Sequence, residues 1–586
     1  MMWANNLPPF IPFFVAALLI LLTQGRPSLS ILRNIILLAT PVLGGVHLWL
    51  DVQPSVPMLA SDTLVSAKAL SYQLTIFSYQ LELMRVDKLS LLFGYLFHIA
   101  SFIAIIYSIH VRDTVQQVAG LLYVGSALGA VFAGDLISLF IFWESLALSS
   151  VFLIWARRTE RAINAGIRYL MFQVASGVLL LAGALIYNYE HGSFSFDFIG
   201  LDGIGSWLIF IAFGIKCAFP FLHNWLTDAY PEATPSGTVF LSAFSTKLAV
   251  YALARGYPGT ELLIYIGAAM ACFPIFYAVL ENDLRRVLAY SMINQLGFMV
   301  VGIGIGTALA LNGTVAHAFA HVIYKSLLFM SMGAVLYRVA NINGSDLGGL
   351  YKSMPWTTTF CIIGAASISA FPLFSGFIAK SLIMTAALKE GYDLVWLMLL
   401  FAAAGVFHHA GIKVPYFAFF HHDSGLRVKE APKNMLVAMF IAAVLCIFIG
   451  TQPQYLYALL PWKMEYWPYD MTHVLTQLQL LFFSALAFVW LNKQGLYPPE
   501  LHSVNIDFEW IYRKLLPATG RVSYNLLQNF NRVITNAIQQ SWLGFQSAFQ
   551  ASRLSKYHLA SSWPTGSMVL WIGVILGGYL LADIYF

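Results

Sequence analysis

Charge is what this chain has least of. Asp, Glu, Lys and Arg make up 10% of its 586 residues, against 59% hydrophobic; soluble domains carry roughly 25% charged residues. The deficit excludes one large water-soluble core, because apolar segments recur along nearly the whole length. Many are about 20 residues long, enough for a helix to cross roughly 30 Å of hydrocarbon. With a mean hydropathy of +0.73, the sequence describes a polytopic membrane protein.

Cysteine is also scarce. Cys217, Cys272, Cys361 and Cys446 lie within or at the edge of apolar spans, and none forms a CxxC. This argues against an iron–sulfur cluster or structural zinc and provides no disulfide framework. No cofactor and no metal is expected. The first apolar run, PPFIPFFVAALLILLT, has no Lys or Arg before Arg26. Lacking the charged leader of a signal peptide, it reads as a retained first span. GIGIG at 302–306 is not GxGxxG and sits in a span, so it reads as close helix packing. His317 and His321 have HxxxH spacing, but HAFAH lacks the glutamate of HExxH, which sets aside a zinc hydrolase. The adjacent pairs His408–His409 and His421–His422 point apart on a helix and read as interface or loop histidines.

What is present is a series of about sixteen predicted crossings, near 8–23, 30–50, 88–109, 115–134, 136–156, 165–187, 205–223, 237–255, 260–280, 287–306, 311–337, 357–388, 393–418, 433–451, 474–492 and 567–586. If the loop ARRTERAINAGIR (156–168) is cytoplasmic, alternation places most Lys and Arg on the inside, the expected asymmetry, and both termini outside. SYQLTIFSYQLELMRVD, between the second and third spans, predicts an external β-hairpin. From Arg521 to Gln550, apolar residues recur with a helical period against a face of Asn and Gln. No acid occurs between Glu509 and Asp583, so a basic amphipathic helix of about 45 Å is predicted along the cytoplasmic surface or partner subunits.

Five lysines fall inside spans: Lys216, Lys247, Lys325, Lys380 and Lys413. Glu144, in LFIFWESLALSS, is the one clearly interior acid. A lysine at mid-span costs about 2.5–3.5 kcal/mol on insertion scales, so these residues must pair, meet water or lose their protons. Buried lysines release protons readily, which makes them candidate carriers. Lys413 is expected near the inner interface, with its ammonium snorkelling. His317, His321 and Lys325 are spaced i, i+4, i+8, nearly along one helix face, and form a candidate proton relay. IKCAFPFLHNWL and SISAFPLFSGFIAKSLIM are both long spans interrupted by proline (Pro220, Pro372), each with an intramembrane lysine. Five crossings separate them, and an odd number inverts the second copy, an arrangement of secondary transporters.

RVDKLSLLF, FWESLALSS, GIKCAFPFLHNWLTDAYPEATPSGTVFLSAFSTKLAVYAL, DLRRVLAYSMINQLGFM, AHAFAHVIYKSLLFM and PLFSGFIAKSLIM, in that order from residue 85 to about 385, resemble the proton-translocating antiporter family. That family includes Mrp-type Na+/H+ antiporter subunits and the large antiporter-like subunits of respiratory complex I. The resemblance implies an all-α fold of fourteen core helices with two inverted five-helix repeats containing broken helices. It implies a coupled Glu144–Lys216 pair, Lys247 as connecting base, His317, His321 and Lys325 on a central hydrophilic axis, and Lys380 at the exit. Lys380 in PLFSGFIAK resembles the D component of Mrp-type antiporters and hydrogenase-linked relatives; the C-terminal amphipathic segment resembles the lateral helix of a distal complex I subunit.

The expected organisation is therefore 1–114, N-terminal helices with the hairpin; 115–255 and 256–418, the two repeats; 419–500, additional spans; 501–566, the lateral segment; and 567–586, a last span. The expected function is proton translocation in a multisubunit cation/proton antiporter of the cell inner membrane, with Na+ as the counter-ion, and not an enzyme. The alternatives are a proton-pumping subunit of a complex I or hydrogenase-type redox complex, a bicarbonate-uptake subunit, or a structural subunit without its own ion path. Expected partners are other membrane subunits, protons, Na+ and the lipid bilayer, with no nucleic acid.

Overall fold

The computed structural model describes residues 7–52, 71–76, 79–502, 505–554 and 565–585. It divides into two compact units, Met1–Asn505 and Ile506–Phe586. Among the described residues, 13 helices are long and apolar enough to cross a membrane. The other three predicted crossings correspond to a shorter helix, Ile11–Leu22, and to two helices that are broken. Lys556 and the hairpin turn at 77–78 lie outside the described residues.

Local chemistry starts the helices where the sequence allows it. Asp87 opens Lys88–Ser108 with a capping box: its side chain accepts from Ser90 N, while Ser90 Oγ receives the Asp87 N–H. Such caps satisfy donors that a helix start leaves unpaired. The hairpin forms as expected, Ser71–Ile76 pairing antiparallel with Tyr79–Arg85. Asp135 joins it to the bundle by accepting from Glu82 N at 2.7 Å.

Two five-helix repeats follow one another. The first holds Thr114–Phe132, Leu136–Trp155, Glu160–His191, a broken helix (Ile204–Cys217, then Asn224–Ala229) and Pro235–Gly256. The second holds Leu262–Leu280, Leu284–Ile305, Ala308–Val339, a broken helix (Pro355–Ile368, then Ser375–Lys389) and Asp393–Phe420. Their correspondence extends to single hydrogen bonds. Asp135 and Thr159 cap the second and third helices of one copy, Asp283 and Thr307 those of the other. The bridge Asp135–Ser195 recurs as Asp283–Asn343. Both third helices run 32 residues. With five passes in each, the second copy is inverted.

The two spans at 205–223 and 357–388 are interrupted at their prolines as expected, and by the same device. Ala218 and Phe221 flank Pro220 with φ of 62° and 70°; Ala370 and Leu373 flank Pro372 with φ of 57° and 74°. In one break Ala218 N–H donates to Ile215 O and Phe219 N–H to Gly214 O; in the other Ala370 N–H donates to Ser367 O and Phe371 N–H to Ala366 O. Left-handed backbone at non-glycine residues costs about 1–3 kcal/mol per residue and persists where the surroundings enforce it. The span predicted at 237–255 is also irregular, interrupted at Phe244 between Pro235–Ala243 and Ser245–Gly256.

The apolar stretches of Pro235–Gly256 and Ala308–Val339 are buried within the first unit. The GIGIG run does serve close packing: a Cβ at Gly304 would lie 2.6 Å from Ile264 N. Lys433–Thr451 and Met471–Lys493 complete this unit. In the second unit the amphipathic helix is longer than predicted, Leu516–Leu554, followed by Thr565–Tyr585.

Candidate functional site

Lys216 stands on the last turn of the first broken helix, fully buried. Its Nζ donates to the carbonyl oxygen of Trp143 at 2.7 Å and lies 4.2 Å from the Trp143 ring centroid. Trp143 precedes Glu144, so lysine and glutamate meet at the same level of Leu136–Trp155. They form no ion pair within 4.0 Å, although each acts on the other electrostatically. The Glu144 carboxylate instead lies over Gly177 of Glu160–His191, where any Cβ would collide with Oε1. Glu144 Oε1 is buried without a hydrogen-bond partner.

Lys247 follows the irregularity at Phe244. Its Nζ donates to Ser242 O at 2.7 Å and to Thr246 Oγ1 at 3.2 Å. Lys380, on the second half of the other broken helix, donates to Ile368 O at 2.7 Å, the last residue of the first half. Lys216 and Lys380 are therefore not equivalent positions of the repeat. They meet the same problem from opposite sides of a break: an ammonium deep in the bundle needs a carbonyl, and these carbonyls are within reach.

Between them lies Ala308–Val339, with His317, His321 and Lys325 fully buried. The two imidazoles meet edge to face, with centroids 6.1 Å apart. Lys247 and Lys380 both act electrostatically on all three groups. Neither nitrogen of His321 nor Nζ of Lys325 has a hydrogen-bond partner. Buried polar groups left this way are ordinarily met by water, and a water-bridged row of amines and imidazoles is a proton-conducting arrangement. Six of the seven predicted site residues are buried and Glu144 is half-buried; Glu144 acts electrostatically on Lys216, and Lys247 and Lys380 act on the central helix. Among the described residues, no group of three His, Cys, Asp or Glu is placed to hold a metal ion.

Two expectations fail. Lys413 does not snorkel: it is fully buried in a π-helical turn, Phe407–Lys413. It donates to Val279 O at 2.6 Å and Glu281 O at 2.7 Å and pairs with Glu500 at 2.9 Å. Three acceptors inside make a path to water unnecessary. His409 is no interface or loop histidine either; it is fully buried in the same turn, with both nitrogens unpartnered. It lies in the electrostatic reach of both Lys325 and Lys413. Other polar contributors gave no local signal. Gln295 Oε1 accepts from Tyr324 Oη at 3.1 Å and contacts His317 Nε2 at 3.2 Å. Arg285, fully buried, donates to the carbonyls of Pro231 and Ala233.

Two broken helices, each carrying a buried lysine, thus pack in one bundle with a helix bearing buried His317, His321 and Lys325. Residues 133–407 match the family described as NADH:quinone oxidoreductase/Mrp antiporter, TM. Over that segment, just under half of its length, the chain resembles this family. Hydrogenase-4 component B of Escherichia coli (strain K12) is 29% identical over 358 residues, covering 54% of this chain and 53% of that protein. The D component of the Na(+)/H(+) antiporter of Alkalihalophilus pseudofirmus is 27% identical over 356 residues, covering 56% of this chain and 72% of that one. The chain thus spans about half the length of the first relative. A solved chain of the membrane-bound sulfane sulfur reductase (MBS), an archaeal respiratory membrane complex, superposes with TM-score 0.70 at 20% identity, covering 98% of this chain and 99% of that one. This last likeness establishes the fold.

Proposed function

We propose that the chain is the proton-translocating subunit of a multisubunit cation/proton antiporter, with Na+ as the exchanged cation, and not an enzyme in its own right. The observation that carries this reading is the set of residues from Glu144 to Lys380, in which Lys216, Lys247 and Lys380 donate to backbone carbonyls instead of pairing with acids. A proton held on Lys216 while Glu144 is near would be released when that carboxylate moves away, and pass through Lys247 and the His317–His321–Lys325 face to Lys380. Sodium moves in the opposite direction, here or through a partner subunit. The repeats correspond to 115–255 and 256–418, the loop at 156–168 faces the cytoplasm of the cell inner membrane, and both termini face outside.

The test is dye-monitored ΔpH formation in proteoliposomes of the assembled complex. Lys216→Met and Lys380→Met should each lower sodium-driven proton movement by on the order of a hundredfold; wild-type rates in both would reduce the chain to a structural subunit. A second reading has its own support. The likeness to hydrogenase-4 component B and the fold shared with an MBS chain favour a redox-driven complex using the same path. Co-purification of iron–sulfur or flavin proteins, with proton movement dependent on an electron donor, would select it.

A further inference from the structure

At the end of the bundle formed by the turns 23–29 and 109–113, a cavity of about 580 Å³ opens between the first four helices. Arg26, Arg33, Arg112 and His110 line it, and no Asp or Glu does. Arg26 and Arg112 are exposed and make no side-chain hydrogen bond or ion pair among the described residues. Arg33 is half-buried; its NH2 group donates to Thr114 Oγ1 at 2.9 Å and Gln117 Oε1 at 2.6 Å, which fixes the guanidinium plane and leaves its other N–H groups uncommitted. Asp113, adjacent in sequence, is engaged elsewhere, with Val115 N, Gln116 and Arg158.

Thr114 also lines a second cavity of about 470 Å³, which runs along the helices. That one is apolar, walled by Phe14, Leu21, Val115, Val118, Leu122 and Phe152. The cationic cavity at the helix ends and the apolar groove thus adjoin at Thr114, which lines both. Three guanidiniums with no carboxylate suit a phosphate, which arginine holds through several parallel N–H bonds. Basic pockets between membrane helices on the cytoplasmic side characteristically take anionic headgroups, and the proposed orientation puts these turns there. An acidic segment of a partner protein would leave the groove unused.

We propose that the cavity and groove together hold one anionic phospholipid, its phosphate among Arg26, Arg33 and Arg112 and an acyl chain along the groove. The test uses the full chain, purified in mild detergent with the subunits that accompany it, and native mass spectrometry during titration with phosphatidylglycerol. Wild type should hold one phosphatidylglycerol after extensive delipidation. Arg26→Gln with Arg112→Gln, two exposed sites with no partner to lose, should weaken that lipid by roughly tenfold or more. The control pair Lys389→Gln with Lys493→Gln, which removes the same charge elsewhere, should retain it. Equal retention in both double variants overturns the proposal. So does loss of a protein subunit with the lipid kept, which would mark a protein interface. Displacement of the lipid by excess inorganic phosphate or glycerol 3-phosphate would show a headgroup-only phosphate site and overturn it as well.

Discussion

The Lys216 ammonium donates to the carbonyl oxygen of Trp143, 2.7 Å away, and not to the carboxylate of Glu144 next to it. A lysine bonded to a carbonyl can give up its proton without breaking an ion pair, and the neighbouring acid is then free to act as a movable charge. Lys216→Met should lower transport by on the order of a hundredfold, the scale for removing a positioned proton carrier. Membrane insertion should be unchanged. Quantified membrane fractions beside proteoliposome assays check both halves.

Gly177→Ala tests the position of Glu144. A Cβ there meets Glu144 Oε1, the far end of a flexible side chain, so the fold survives and the carboxylate moves. In a helix the substitution by itself favours stability by about 1 kcal/mol. The expected result is impaired transport without loss of thermal stability. Full activity would mean that the placement of Glu144 does not matter.

The Lys413–Glu500 pair should behave as a buried one. Glu500→Gln leaves an unpaired ammonium and should cost about 3 kcal/mol. Lys413→Met combined with Glu500→Gln should recover much of that loss. Thermal unfolding in detergent reads the difference; equal midpoints for single and double variants would show that the carbonyls of Val279 and Glu281 suffice for Lys413.

Asp423, in the loop following Phe420, provides a pH signature outside the membrane. Bonds from Arg427 and Lys352, and from Gly425 N–H, hold its carboxyl well below the usual carboxylate range. A depressed carboxylate contributes stability above the unfolded value, about pH 4, and loses it as pH falls through the lower folded value. Hydrogen exchange of residues 421–432, corrected for intrinsic rate, should therefore rise below about pH 4 in wild type. In Asp423→Asn it should already be high at neutral pH and show no such step.

Much of the fold was legible. Hydropathy located the helices, and the shared Ala-Phe-Pro of residues 218–220 and 370–372 pointed to the repeat, because a proline lacking its N–H disrupts a helix wherever it falls in the interior. Proline did not reveal how the chain recovers. The left-handed turns at Phe221 and Leu373 depend on packing, and nothing in those residue types requests a positive φ. The break at Phe244 contains no proline at all, so the sequence read straight through it.

For the candidate site, chemistry was visible and geometry was not. Seven protonatable residues stand out because a charge in an apolar run is costly wherever the run folds, and hydropathy is a local property. Lys413 and His409 were misjudged, since their depth depends on Glu500 and on the carbonyl ends of Leu262–Leu280, distant in the chain. Gln295 and Tyr324 are unremarkable polar residues until they meet His317. By itself the sequence determined a membrane protein, its apolar spans and which side chains are candidate proton carriers. Only the tertiary structure decided which carbonyl or carboxylate each of them meets, because partners such as Lys216 and Trp143, 73 residues apart, are chosen by helix packing and leave no trace in local spacing.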